Sequence, residues 1–221
     1  MTGRRIQAII GHYGSGKTEV AMNLAVALAR KEPVTLIDLD IVNPYFRSAE
    51  HPQVLLEHGV KLVKPEFANT SVDIPSLTAD VDAAILDESR RVILDVGGDD
   101  AGARALGRFK PHFDRFGLSL LAVVNPYRPR SSTVEQILAM LAAMQDRARF
   151  PITGLVNNAN VSHLTTANDV LYGREMLARV TRETGIPVVL ECALEKARPL
   201  APLKGAEFLP LTRYTKPEWM D

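Results

Sequence analysis

Ile6-Gln7-Ala8-Ile9-Ile10-Gly11-His12-Tyr13-Gly14-Ser15-Gly16-Lys17-Thr18-Glu19-Val20-Ala21 is the stretch on which the fold turns. Its centre, G-H-Y-G-S-G-K-T over residues 11–18, fits the Walker A phosphate-loop pattern G-x-x-x-x-G-K-[ST]. An apolar run leads in as a buried strand would, and residues 19–30 lead out as a helix. Glycines let backbone N–H groups converge on phosphate oxygens, and the start of the helix adds about half a positive charge. This places Gly11, Gly14, Ser15 and Gly16 around the phosphates, Lys17 at the β- and γ-phosphates, and the Thr18 hydroxyl on magnesium. Glu19 is counted in the same nucleotide-binding set. The stretch predicts a nucleoside-triphosphate site with Mg2+ as its cofactor.

Outward from this loop, apolar runs alternate with longer helical patterns. Strands are predicted near 5–10, 33–38, 60–63, 91–96, 118–124, 152–157, 186–190 and 206–211. Helices are predicted near 17–31, 46–58, 78–90, 100–110, 131–148, 165–184 and 195–201, with 64–77 as a surface loop. The runs at 91–96 and 118–124 are apolar almost throughout rather than alternating, as in strands buried on both faces of a parallel sheet. The expectation is an α/β fold: a doubly wound, mostly parallel sheet of seven or eight strands with helices on both faces. At 221 residues it is read as one domain over 1–221. In such sheets ligands gather at the carboxyl ends of strands.

The remaining motifs fall at those ends. Leu36-Ile37-Asp38-Leu39-Asp40 closes the second strand. Asp38 is assigned to the magnesium shell, and Asp40 to positioning the attacking water. Val92-Ile93-Leu94-Asp95-Val96-Gly97-Gly98 closes the fourth. Asp95 is expected to hold the metal through water, and the Gly98 N–H to reach the γ-phosphate where no side chain obstructs it. That contact lasts only as long as the phosphate, which makes it a natural switch. The sixth strand runs into Asn157-Asn158-Ala159-Asn160. An asparagine amide suits a purine edge, and turn geometry is a competing reason for Asn158 and Asn160. The guanine-reading pattern [NT]-K-x-D is absent, which tilts the expected base to adenine.

Composition narrows the partners. There are 26 basic and 26 acidic residues, so no basic excess points to nucleic acid. Cys192 is the only cysteine, which excludes an intramolecular disulfide and any C-x-x-C metal site. No apolar run approaches the ~20 residues of a spanning helix, and no signal-peptide stretch opens the chain. The expected location is the cytoplasm, away from the membrane.

Taken in order, these residues resemble the MinD/ParA branch of phosphate-loop ATPases, the CobQ/CobB/MinD/ParA superfamily related to nitrogenase iron protein. Residues 18–29, T-E-V-A-M-N-L-A-V-A-L-A, look like that branch's loop-helix with its internal Asn23. L-I-D-L-D-I-V-N-P looks like its first switch, D-V-G-G its second, and G-L-V-N-N its adenine-side strand end. The resemblance implies that Asp40 assists hydrolysis, Thr18 and Asp95 serve magnesium, and Asn157 contacts adenine. It also shows departures. Members with the loop K-G-G-x-G-K-T reach across a homodimer with a second lysine; here His12 and Tyr13 stand instead. A neutral imidazole replaces that charge poorly. A single cysteine cannot supply an iron–sulfur cluster with two ligands per subunit.

The leading expectation is a slow ATPase switch acting on an unidentified protein partner, with a homodimer as one mode of self-association. A second is an ATP-dependent small-molecule kinase or ligase, in which Arg47, Arg104, Arg128 and Arg130 line an anionic pocket rather than serving as surface charge. A DNA-partitioning ATPase and a maturation GTPase are further alternatives.

Overall fold

The computed structural model describes residues 3–39, 52–64, 74–98 and 100–215. Eight strands form one parallel sheet in the order β3-β2-β4-β1-β5-β6-β7-β8. They are β1 (Ile6–Ile10), β2 (Val34–Leu39), β3 (Val60–Val63), β4 (Arg91–Val96), β5 (Ser119–Val124), β6 (Gly154–Asn157), β7 (Val188–Ala193) and β8 (Glu207–Pro210). The chain builds one half outward from β1 through β2 to β3 and slots β4 in between. It then reverses and builds β5 to β8 on the other side. The crevice at this reversal lies above the carboxyl end of β1, where a doubly wound sheet binds its ligands.

Alternate strand residues feed two cores, so the central strands are apolar without alternating. Ile6, Ala8 and Ile10 of β1 pack with one core, together with α3 (Ile74–Leu86), α4 (Asp100–Arg108), α5 (Lys110–Phe116), α6 (Val134–Ala148) and α7 (Ala167–Thr184). Ile9 faces the other, against α1 (Lys17–Ala29) and Leu55 of α2 (Pro52–Glu57). Helix boundaries follow local chemistry. Thr133 and Gln136 form a capping box at the start of α6, and Thr166 and Asp169 do the same for α7. Gly185, at φ 72°, ends α7 in the left-handed conformation that glycine adopts freely.

Three expectations are corrected. The predicted helix over 100–110 is two helices that break around Phe109, because Pro111 is tolerated in a first turn but not in a helix interior. The stretch 64–77 is not all loop, since α3 begins at Ile74, again with a proline in its first turn. The helix over 195–201 shrinks to a 3-10 turn at Glu195–Ala197, ahead of Pro199. Of the helix over 46–58, residues 52–58 lie within the described residues, and Pro52–Glu57 of these are helical. Among the described residues no helix is long and apolar enough to cross a membrane.

Candidate functional site

The loop 11–16 leaves the carboxyl end of β1 and delivers Lys17 and Thr18 as the first residues of α1. Lys17 is buried, and its ammonium donates to the His12 carbonyl at 3.2 Å. The Ser15 N–H donates to the same carbonyl at 3.1 Å, which curls the loop. Gly98 approaches from β4. A Cβ added there would stand 2.7 Å from Lys17 Nζ and 2.8 Å from the Tyr13 backbone nitrogen. Only a bare backbone fits against the lysine at this point.

Asp38 and Asp95 are direct neighbours on β2 and β4, and neither has exposed surface. Paired residues on adjacent strands share a face, ~4.8 Å apart by backbone spacing. Two carboxylates buried this closely disfavour joint ionisation unless a cation balances them. Lys17 is one such cation at the same strand ends. With the Thr18 hydroxyl the donors are all oxygen, the set a hard cation takes. Magnesium commonly uses one or two carboxylates and completes its shell with phosphate and water. Among the described residues no group of three or more His, Cys, Asp or Glu gathers into a metal cage. The residues present therefore fit magnesium held jointly with a nucleotide. Asp40 and Arg47 lie outside the described residues.

The base side departs from expectation. Asn157 was assigned to adenine, yet its side chain is fully buried beneath α7. Its amide donates to the Val170 carbonyl at 3.0 Å and to Glu191 Oε2 at 3.3 Å, and its oxygen accepts from the Ala159 N–H at 3.3 Å. Glu191 is in turn gripped by Arg174 through two bonds of 2.6 Å, which hold the guanidinium pKa above its ordinary value. Asn158 instead turns to the loop, donating to the Ser15 carbonyl at 2.7 Å. Its buried oxygen has no hydrogen-bond partner among the described residues. It packs so tightly on Gly16 that a Cβ there would collide with its amide nitrogen. Glu19, counted with the nucleotide-binding set, commits both carboxylate oxygens to the chain after β8, accepting hydrogen bonds from Tyr214 and Thr215.

Two cavities flank the loop. One of about 310 Å³ lies on the base side, bounded by Gly16, Arg128, Asn158, Leu194, Leu211 and Arg213. Arg128 is tied into its rim by donating from Nε to the Gly14 carbonyl at 2.8 Å. The other, about 830 Å³, opens beside His12, Tyr13 and Gly98 and carries Arg104, Arg130 and Arg147 on its walls. Met140 and Met144 of α6 line it as well.

Asn125 escaped the reading of the motifs, although it sits directly after the apolar run of β5. It is fully buried. Its oxygen accepts from the Tyr127 and Asn160 N–H groups at 3.1 and 3.3 Å, and its amide donates to the Asn160 carbonyl at 3.1 Å. It thus ties the ends of β5 and β6 together. Asn125→Ala is expected to cost ~1–3 kcal/mol, because it strands the buried partners of that amide. Urea unfolding measures this, and a loss within the ~0.5 kcal/mol of a neutral surface change would contradict the bracing role. Nearby, burial and a 2.6 Å bond to Asp169 push the Tyr127 hydroxyl up to about 12. Cys192 is buried in β7, which raises its thiol well above the usual range and leaves it a poor nucleophile.

The profile of the CobQ/CobB/MinD/ParA nucleotide binding domain matches residues 8–189, from β1 to β7. The chain belongs to this family. The CobQ/CobB/MinD/ParA match thus spans the phosphate loop, both buried aspartates and the asparagine-bearing strand end. No curated protein matches the chain. Among solved structures it is similar to FtsY of Thermotoga maritima, at 19% identity and a TM-score of 0.59, over 90% of this chain and 65% of that one. Chloroplast FtsY of Physcomitrella patens gives 16% and 0.56, over 86% and 59%. The signal recognition particle receptor FtsY of Elizabethkingia anophelis gives 21% and 0.56, over 92% and 64%. At these identities the likeness shows the phosphate-loop α/β fold. The chain spans about three fifths of the length of these structures.

Proposed function

We propose that this protein is a magnesium-dependent nucleoside triphosphatase that prefers ATP and works as a slow switch on a protein partner. The observation that carries this reading is the close approach of Gly98 to Lys17, where an added Cβ would stand 2.7 Å from the ammonium. A γ-phosphate bound at that lysine would meet the Gly98 N–H, and its loss on hydrolysis would release β4's end and the helix that follows. Magnesium, when bound, supplies charge neutralisation between the β- and γ-phosphates. Lys17 adds a second positive charge there, Asp38 and Asp95 orient the metal's ligands, and Asp40 is assigned to the attacking water. Asn158, rather than Asn157, is the residue proposed for the purine, through its unpartnered buried oxygen. An amide oxygen accepts from the exocyclic amine of adenine, and no carboxylate stands at residue 158 or 160 to take the two donors of guanine.

The lysine that relatives extend across a dimer is absent, so the chain lacks one source of transition-state charge. Such a cation is worth ~10³–10⁵ in rate. The isolated protein is therefore expected to turn over well below the ~1–100 s⁻¹ of kinases. Steady-state hydrolysis with and without magnesium, with ATP and GTP in competition, tests this. Rapid turnover at high dilution would remove the switch reading, and a tenfold preference for GTP would remove the adenine assignment.

The larger cavity supports a second reading, an ATP-dependent kinase or ligase. It adjoins Gly98 and offers Arg104, Arg130 and Arg147 to an acidic substrate. Acceleration of the same hydrolysis assay by a small carboxylic acid would favour it.

A further inference from the structure

The phosphate loop does not build the base-side cavity alone. Leu211, Arg213 and Thr215 form part of its wall, and they come from the segment that follows β8. That segment is fastened to α1 by two side chains. Asn23 pinches Thr212, accepting from its N–H at 2.7 Å and donating to its carbonyl at 2.8 Å. Glu19 takes the next turn of chain. Its Oε1 accepts from the Tyr214 N–H at 2.6 Å, and its Oε2 accepts from the Thr215 N–H at 3.1 Å and the Thr215 hydroxyl at 2.6 Å. Hydrogen bonds to an ionised carboxylate are roughly twice as strong as neutral ones. A carboxylate in the first turn of a helix is further favoured by the helix dipole. Asn23 also donates to the Glu19 carbonyl at 2.8 Å, so the two anchors are themselves linked.

The placement of this clamp gives it a consequence for ligand binding. Glu19 directly follows Thr18, so the clamp starts where the phosphate loop ends. The wall it holds faces the side of the loop opposite the larger cavity, next to Asn158 and Leu194. A cavity of about 310 Å³ is at the lower end of the ~300–1,000 Å³ that small ligands occupy. Its apolar walls, Leu194 and Leu211, suit the faces of a planar ring. Arg213 supplies a guanidinium, a group that stacks on aromatic faces.

We infer that Glu19 and Asn23 hold residues 211–215 as a strap that closes the base and ribose side of the site, with Arg213 as the strap residue facing the ligand. Glu19 is thus a positioning residue. It governs affinity for the nucleoside part of the ligand and leaves affinity for the phosphate chain alone. The inference rests on the nucleotide reading proposed above.

Calorimetric titration of the full chain with magnesium and two probes tests it: a non-hydrolysable ATP analogue, with the GTP analogue in parallel, and inorganic tripolyphosphate. Glu19→Ala and Arg213→Ala are each expected to weaken the analogue about tenfold while tripolyphosphate changes less than about twofold. Glu19→Gln keeps one acceptor oxygen and should fall between Glu19→Ala and wild type. A role in stability alone would not separate the two probes. Equal losses for both probes, or no loss for either, overturn the strap. Arg213→Ala leaves the clamp intact, so the inference stays open to refutation even if the Glu19 variants fold poorly. An unchanged Arg213→Ala beside a weakened Glu19→Ala overturns the assignment of Arg213. Wild type that binds tripolyphosphate but neither analogue defeats the strap and spares the loop. Wild type that binds no probe defeats the nucleotide reading itself.

Discussion

Lys17→Ala is expected to abolish nearly all of the rise in melting temperature that nucleotide confers. A ligand at about 100 times its dissociation constant stabilises a fold by ~2.7 kcal/mol. For a chain of this size that is a shift of roughly 5–10 °C. The side chain is buried with its ammonium against the His12 carbonyl and close to Gly98, so water would replace the lost charge poorly. The substitution also removes a cation from the neighbourhood of Asp38 and Asp95, which alters the unliganded protein. The informative quantity is therefore the difference between scans with and without magnesium nucleotide, taken on each variant. An undiminished shift in Lys17→Ala would rule out the loop as the phosphate site.

Gly98→Ala should separate the two nucleotide states. The added methyl would lie within 2.8 Å of both Lys17 Nζ and the Tyr13 nitrogen, and one of them must move. The Tyr13 nitrogen is backbone and yields less readily than the end of a lysine. Displacement of the ammonium strikes hardest at the γ-phosphate, whereas the β-phosphate of a diphosphate keeps the loop N–H groups as further donors. The expected result is a loss of about 100-fold in turnover, or ~2.7 kcal/mol of barrier, with ADP affinity changed by less than about threefold. Single-turnover hydrolysis and ADP titration read the two halves. A variant that loses ADP as severely as turnover would show that Gly98 supports the loop generally and senses no third phosphate.

What the sequence disclosed was whatever local chemistry determines. The loop is contiguous, and the apolar runs before Asp38 and Asp95 mark them as strand ends, where β2 and β4 indeed place them side by side. The order of the motifs also disclosed the family. The burial of the Asn157 side chain was hidden, because only the packing of α7 decides that it is covered. A register shift between Leu155 and Val156 against β7 blurs the phase further. The role of Glu19 was beyond local reading, since its partners Tyr214 and Thr215 lie 195 and 196 residues away. Asn125 was within reach: a polar residue at the close of an apolar run is the same signal that exposed Asp95. The split at Phe109 was legible too, since Pro111 favours the first turn of a new helix over the end of a continuing one.

The fastening of Thr212 to Asn23 across 189 residues orders events during synthesis. The phosphate loop, β1 and α1 leave the ribosome before β8 does, and chains grow at ~5–20 residues per second. The partners of Glu19 emerge roughly ten seconds or more after it, once β8 has been made. Until then a nascent chain can own a phosphate-binding loop without the finished wall beside it. Nucleotide captured in that interval would be held by its phosphates, with little discrimination between bases. On the proposed reading, discrimination between bases is acquired later than the capacity to hold phosphates.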